Sequence, residues 1–444
     1  MPVRVLIIGG GTGGMCLAHG LRRTGVDLTV YERDRTRADG LHGYRVGINP
    51  TGNRALRECL PPDLFDTFVA TCARSPRYFN VLDERLRFTA SVPLREDVDP
   101  VDSERSVSRM TLRQVLFTGM EDVVRFDKTF TRYERNGDGT VTACFADGTS
   151  ATGDVLVAAD GASSPVRRQY LPHAKLVDAG IIAVGGKVPI TDETRALLPP
   201  EAFNGLSLLF APKGRFCIWH VMEFKWDRDA GVKHGVGGND TELIRRWPGL
   251  LYDNTRDYIN WGFWASVDKY PPGVMDLRGQ DLVRLVLDMT PGWHPNLRRL
   301  FGLSDPGSCF PINIRTSVPI EPWRSSSITL LGDAIHTMTP GQGVGANTAL
   351  RDAALLCRQL AAAHRGERPL LEAVAAYEAE MIPYGFARVA DSLAQNGTSG
   401  SDALHKPVIG RLMLAFTRTY FRAVDRVPAV RRQFLNGLYT YRSG

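Results

Sequence analysis

Short unbroken apolar runs, each stopped by glycine or Asp-Gly, recur at three widely separated places: Val3 to Ile8 (VRVLII), Val155 to Ala159 within DVLVAAD, and Ile328 to Leu331 within SITLLGD. Such runs read as buried strands. Helical spacing follows the first, with Leu17, Ala18 and Leu21 on one face, and the third, with Ala349, Ala353 and Leu356; a Pro-started turn at Pro165 follows the second. Asp27 to Glu32 (DLTVYE) reads as a further strand ending in a carboxylate. Asn136-Gly137-Asp138-Gly139 and Asp147-Gly148 predict the turns of a small antiparallel meander.

From about Leu176 to Pro306 the pattern changes to longer, aromatic-rich strand-like runs, GLSLLFAP, RFCIWHVM and YINWGFWAS, with no glycine motif. That suits a separate sheet lining an apolar pocket. Two helical stretches, 346–364 and 369–395, come next, then an expected linker at Ser399 to Ala403. A last helix carries Ile409, Leu412, Met413, Phe416, Tyr420, Val424 and Val427 on one side and Arg411, Arg418 and Arg422 on another. Docking of its apolar side on the body is the default expectation for a surface helix; lying on a membrane surface is the rival.

Chemistry enters through the turns. Gly9-Gly10-Gly11-Thr12-Gly13-Gly14 between strand and helix, with Glu32 about 20 positions on, is the dinucleotide fingerprint in its required context. Gly9 serves the turn, Gly11 the approach of a pyrophosphate, Gly14 helix packing and Glu32 a ribose; the pattern is silent on FAD against NAD. Asp333 and the loop with Pro340, Gly341, Gly343 and Gly345, opening a helix at Ala346, form a second place where backbone can approach an anionic ligand. Arg109 starts a helix at Ser108-Arg109-Met110, a position that opposes the dipole and implies a nearby anion. Arg45, in a glycine-rich turn before a helix expected from Thr51, reads on sequence physics as a solvated loop charge, and Glu96 to Glu104 as an exposed loop. His220, beside Trp219, could activate a phenol or be a structural histidine.

Composition narrows the field. The 444 residues, 43% hydrophobic and 23% charged, are those of a globular protein with a large core. Seven cysteines without a CxxC pair argue against a disulfide framework or a zinc site and for reduced, mostly buried thiols in a cytoplasm. The formal charge of +6 is concentrated at the end: residues 403–444 hold eight Lys and Arg against Asp425 alone. The body therefore offers no nucleic-acid surface.

Three motifs in order, GGGTGG with Glu32, DVLVAADGASSPVR and LLGDAIHTMTPGQGVGAN, resemble those of the single-component (class A) FAD-dependent aromatic hydroxylases, a flavoprotein monooxygenase family. The resemblance implies an α/β fold: a Rossmann-like, p-hydroxybenzoate-hydroxylase-like FAD domain (1–75, 105–175, 307–395), an inserted β-sheet substrate domain (76–104, 176–306) and a helical tail (396–444). It implies non-covalent FAD, held at Gly9, Gly11, Thr12, Gly13, Gly14, Glu32 and Arg33, with Asp160 of the Asp-Gly element also serving NAD(P)H. Asp333 would meet the ribityl chain, Pro340, Gly343, Gly345 and Ala346 the isoalloxazine, and Arg45 and Arg109 the cofactor. Ile335 departs from the usual Ala. The implied reaction uses NADH or NADPH and O2 to put one oxygen into a small aromatic or polyketide-like molecule through a flavin C4a-hydroperoxide, in a water-poor pocket. Epoxidation, Baeyer-Villiger oxidation, an FAD reductase and a non-catalytic lipid- or partner-binding protein are the alternatives; the WxWxIP motif of halogenases is absent.

Overall fold

The structure, a computed structural model, describes residues 3–37, 39, 43–94, 101–224, 226–227, 231–232, 257–395 and 408–443. The expected linker at 399–403 and the first part of the loop at 96–104 lie outside the described residues.

The short apolar runs form one five-stranded parallel sheet in the order Ile328–Leu330, Val155–Ala158, Arg4–Ile8, Asp27–Tyr31, Val124–Arg125. Burial on both faces explains their lack of polar alternation. Helices Thr12–Arg23, Gly345–His364 and Leu370–Gln395 cover the sheet, and their apolar faces merge with it into one core. The meander appears as Phe130–Arg135, Val141–Phe145 and Ser150–Gly153, turning where the Asn-Gly and Asp-Gly pairs stand.

A second, seven-stranded sheet gathers the aromatic runs in the order Phe310–Ser317, Leu176–Pro189, Tyr258–Ser266, Arg215–Met222, Gly205–Ala211, Tyr78–Leu82, Phe88–Pro93. Its edge strand Phe310–Ser317 continues past the boundary expected at 306. One face packs Trp219, Trp261 and Phe263 on helices Gln280–Met289 and Pro295–Gly302 around Leu282, Val286, Leu297 and Phe301. The aromatic enrichment is thus largely structural on this side, as large rings fill the space between sheet and helices.

The other face is different. Alternation along Leu176–Pro189 puts Ile181, Ala183, Gly185 and Lys187 there, with register partners Ser266, Trp264, Gly262 and Asn260. Phe216, Ile218 and His220 continue the same face on the next strand. Toward the far edge it is covered by the tail. Helices Ile409–Arg426 and Pro428–Ser443 bring Phe421, Phe434 and Leu438 onto Leu206, Leu208, Phe210 and Ile218. The Arg418 guanidinium reaches Glu84 Oε2 at 2.6 Å in the same contact. The tail therefore docks on the body, but not through the side the sequence pattern named: of Ile409, Leu412, Met413, Phe416, Tyr420, Val424 and Val427 only Val424 is buried, and Arg418, expected on another side, faces inward.

Removing residues 403–444 should uncover this apolar face. Partial burial of two phenylalanines and a leucine, each contributing less than the roughly 1.5–3 kcal/mol of a fully buried side chain, predicts a drop in melting temperature by calorimetry. A truncated chain melting with the full chain would mean that the docking carries no stability.

Candidate functional site

The parallel register sets the geometry. Ile8 lies beside Ala158, which lies beside Leu330, so the three motifs leave the sheet at one level, side by side. Backbone bonds carry the alignment one residue further: Gly9 N–H donates to Tyr31 O, Ala159 N–H to Ile8 O and Leu331 N–H to Ala158 O, at 2.8–2.9 Å. Ligands of open parallel sheets sit at this carboxyl end.

In the first motif Gly9 has φ +109°, and a Cβ there would lie 2.4 Å from Ala159 O; one on Gly14 would lie 2.3 Å from Gly9 O. At Gly11 the nearest atom to an added Cβ is 3.8 Å away, so the space before it is open. The helix that begins at Thr12 has no side-chain cap and no acidic residue in its first turn, leaving N–H groups and dipole available to an anion. Gly13 is buried in the packing. Glu32 is buried and already accepts Gly10 N–H at 2.6 Å and Asp34 N–H at 3.0 Å; Arg33 is exposed.

In the second motif Asp160 follows its strand directly. Its Oδ1 is buried with no hydrogen-bond partner among the described residues, while Oδ2 faces Val166 N at 3.5 Å. Burial raises its pKa to about 6, against the opposing pull of Ser164 and Arg167. Arg167 ties this turn to the next motif, donating to Ala162 O and Ala334 O at 2.8 Å.

In the third motif Asp333 is exposed to solvent yet walled in by protein, as at the bottom of a cleft, and that loss of bulk water raises its pKa. His336 and Arg109 pull the other way. Tyr44, also open to solvent, feels both Arg109 and Asp333, so the three share one cleft. Pro340 and Gly343 are exposed, with Gly345 and Ala346 half-buried at an uncapped N-terminus of helix Gly345–His364.

Arg45 departs from its expectation as a solvated loop charge. It lies on strand Arg45–Ile48, paired with Arg105–Ser108, and its side chain, 10% exposed, meets Glu104 Oε1 at 3.2 Å and Ser106 Oγ at 3.0 Å. The following helix starts at Pro50, with Asn49 capping it through Gly52 N–H. Arg109 does open a helix, Arg109–Phe117, and is exposed toward the cleft. His220 is half-buried and lines a small, solvent-open cleft with Ser106, Asn204 and Glu223.

Sequence reasoning missed the groups that hold the third motif. Asp352, fully buried on helix Gly345–His364, accepts Gly332 N–H at 2.7 Å through Oδ2, which also faces His336 Nε2 at 2.6 Å; Oδ1 accepts the Tyr384 hydroxyl. Burial disfavours charge on His336, but the Asp352 carboxylate more than offsets this and raises its pKa. Asn347 clamps the glycine loop, accepting Asn49 N–H at 2.9 Å and donating to Gly47 O at 2.8 Å and Gly343 O at 3.2 Å. Neither residue carried a signal of its own in the sequence, where each is one polar position in a helical stretch.

Comparison with known proteins fits this geometry. An FAD binding domain family model matches residues 306–391, and an NAD(P)-binding Rossmann-like model matches 7–44. A solved structure from Photorhabdus luminescens subsp. laumondii TTO1, named as an FAD-containing monooxygenase, is 34% identical, with TM-score 0.74, over 89% of this chain and 97% of that one. The chain belongs to the FAD-dependent monooxygenases. Two further relatives of this monooxygenase are an FAD-dependent urate hydroxylase of Klebsiella pneumoniae, 29% identical over 85% of each chain, and a dual O-methyltransferase/FAD-dependent monooxygenase of Cercospora beticola, 30% identical over 85% of this chain. The chain spans 44% of the length of the latter.

The monooxygenase is an enzyme with FAD as its cofactor, and its residues suit that group. The open approach at Gly11, two uncapped helix N-termini, an orphaned Asp160 oxygen and an accessible Asp333 answer a ligand with phosphates at one end and hydroxyls along its length.

Breaking a buried charged network by removing one partner costs roughly 3–5 kcal/mol, so Asp352→Asn should lower the melting temperature strongly. The pH dependence checks the cause. A raised folded pKa means that charged His336 contributes stability fully present below the unfolded value of 6.5 and lost as pH rises through the higher folded value. Wild-type stability should therefore fall across that window, and Asp352→Asn should lack this component. Parallel pH profiles for the two proteins would contradict the assignment.

Proposed function

We propose that this monooxygenase uses NAD(P)H and O2 to place one oxygen atom in a small, electron-rich aromatic or polyketide-like molecule. The observation that carries the reading is the meeting of the two sheets. The face of the aromatic sheet that carries Lys187 and Phe310 borders the first part of the structure through Tyr44 stacked with Phe310 at 6.3 Å and Lys187 Nζ within 3.5 Å of Met110 Sδ. Gly185 and Gly262 stand side by side on that face, with the Trp264 indole folded where a Gly262 Cβ would be. A wall of glycine, indole and aliphatic groups suits a flat, apolar ligand.

On this reading Gly9, Gly11, Thr12, Gly13 and Gly14 receive the pyrophosphate, Glu32 with Arg33 beside it the adenosine end, and Asp160 and Asp333 the hydroxyl-bearing chain. Pro340, Gly343, Gly345 and Ala346 present backbone to the isoalloxazine ring, with Arg109 setting the charge around Asp333 and Arg45 holding the strand beside them. Bound FAD, once reduced, supplies the activated oxygen. The chain's own part is orientation, a helix N-terminus near developing negative charge, and exclusion of water. A second nucleotide-binding fold is lacking among the motifs, so nicotinamide is a transient visitor.

Replacement of Asp333 by Ala removes a charge-assisted hydrogen bond worth roughly 1.5–3 kcal/mol, an expected 10- to 150-fold weakening of FAD binding in titration of the apoprotein. Unchanged affinity would remove Asp333 from the site.

Turnover under 18O2 should add one labelled atom to the product, with none from labelled water. NAD(P)H oxidation should be slow alone and faster with an acceptor in the pocket. Label arriving from water, or full-rate turnover without O2, would refute the monooxygenation and leave a reductase.

A further inference from the structure

The tail docks on the body and still leaves an apolar face outward. Helix Ile409–Arg426 turns Gly410, Leu414, Phe421 and Val424 inward. About a third of a turn round the helix, at successive spacings of three and four, stand Ile409, Leu412 or Met413, Phe416 and Tyr420, with Val408 and Val427 at the ends, all exposed. Leu412 is 67% and Phe416 69% exposed, values without a folding rationale for side chains of this size. Isolated exposed apolar residues need no explanation, but a contiguous row does.

Charge decides the occupant. Arg411, Arg422 and Arg426 are exposed along one border of the row, whereas Arg418 is turned inward onto Glu84. Asp425, the sole acid in 403–444, is also turned inward, accepting Ser91 N–H at 3.1 Å. A second copy of this face would bring arginines against arginines with no carboxylate to meet them. An anionic lipid surface meets both requirements, apolar depth for the row and phosphate for the arginines. No helix among the described residues is long and apolar enough to cross a membrane, so the contact lies in the plane of the interface. The row is also mounted rigidly: Phe421 packs on Phe210 and Phe434, and Phe434 on Phe79, at centroid distances of 5.2–6.1 Å. Binding then incurs little ordering cost.

We propose that the outward face of helix Ile409–Arg426 is a docking surface for an anionic lipid bilayer, through Leu412, Met413, Phe416 and Tyr420 inserted at the interface and Arg411, Arg422 and Arg426 on headgroup phosphates. The test is co-sedimentation of the full-length, flavin-loaded protein with phosphatidylcholine vesicles and with vesicles also containing phosphatidylserine. Each arginine contributes roughly fivefold, so partition onto the anionic vesicles should exceed that onto the neutral ones on the order of a hundredfold, and fall with salt. Arg411→Gln, Arg422→Gln and Arg426→Gln together should erase the difference between vesicles, and Leu412→Glu with Phe416→Glu should abolish binding without changing flavin content or melting temperature. Should the glutamates perturb the fold, Leu412→Ser with Phe416→Ser carries the same test. Equal wild-type partition onto both vesicles, absence of binding, or unaltered binding by the Leu412 and Phe416 variants overturns the proposal. So does concentration-dependent dimerisation in sedimentation velocity, lost in those variants and unaccompanied by vesicle binding, which would make the face a self-interface.

Discussion

A single buried carboxylate, that of Asp352, fixes the place where strand Ile328–Leu330 turns toward the cleft. Its two oxygens take up the Gly332 amide, the His336 imidazole and the Tyr384 hydroxyl, groups from the turn, from the short helix beside it and from the long helix Leu370–Gln395. A charge inside the core is tolerated only when each lone pair is answered, and here the answers come from the parts that must be held together. Gly332, with φ +59°, then delivers Asp333 to the cleft. Gly385 is part of the same constraint, since a Cβ there would lie 2.7 Å from the His336 ring.

Legibility in the sequence followed the kind of force involved. Positions that admit glycine alone stood out: a Cβ would meet backbone oxygen at Gly9 and Gly14 and the Ala349 side chain at Gly332, so the strand-and-turn pattern of the first and third motifs was legible. Strands buried on both faces were equally plain. Arg45 was not, because its surroundings are created by pairing with a strand some sixty positions later, and Glu104 and Ser106 have no local signature. Asp352 and Asn347 were hidden for the same reason: each is an ordinary polar residue in a helical pattern until the fold puts a distant amide beside it. The tail was half legible. Its helical period was evident, yet which apolar residues face inward depends on where the sheet lies, and the sequence cannot rank Phe421 above Phe416.

The two sheets divide the work between them. The parallel sheet offers backbone and carboxylates at one rim, a polar and directional surface; the larger sheet offers rings, aliphatic groups and missing side chains at Gly185 and Gly262. Tyr44, Phe310, Lys187 and Met110 form the seam. On the proposed reading, changes of acceptor preference would fall on the second sheet, apart from the glycine turns of the first.

The order of strands in the parallel sheet also bears on how the chain is made. Arg4–Ile8 sits at the centre, yet its neighbour Val155–Ala158 is completed on the outer side by Ile328–Leu330. A growing polypeptide holds the first glycine turn more than three hundred residues before the Gly332 turn and the Asp352 carboxylate. Pairings so distant along the chain close late, since loop closure must precede the contacts that reward it. Until Ile328–Leu330 arrives, the edge of Val155–Ala158 that it covers is a surface open to mispairing.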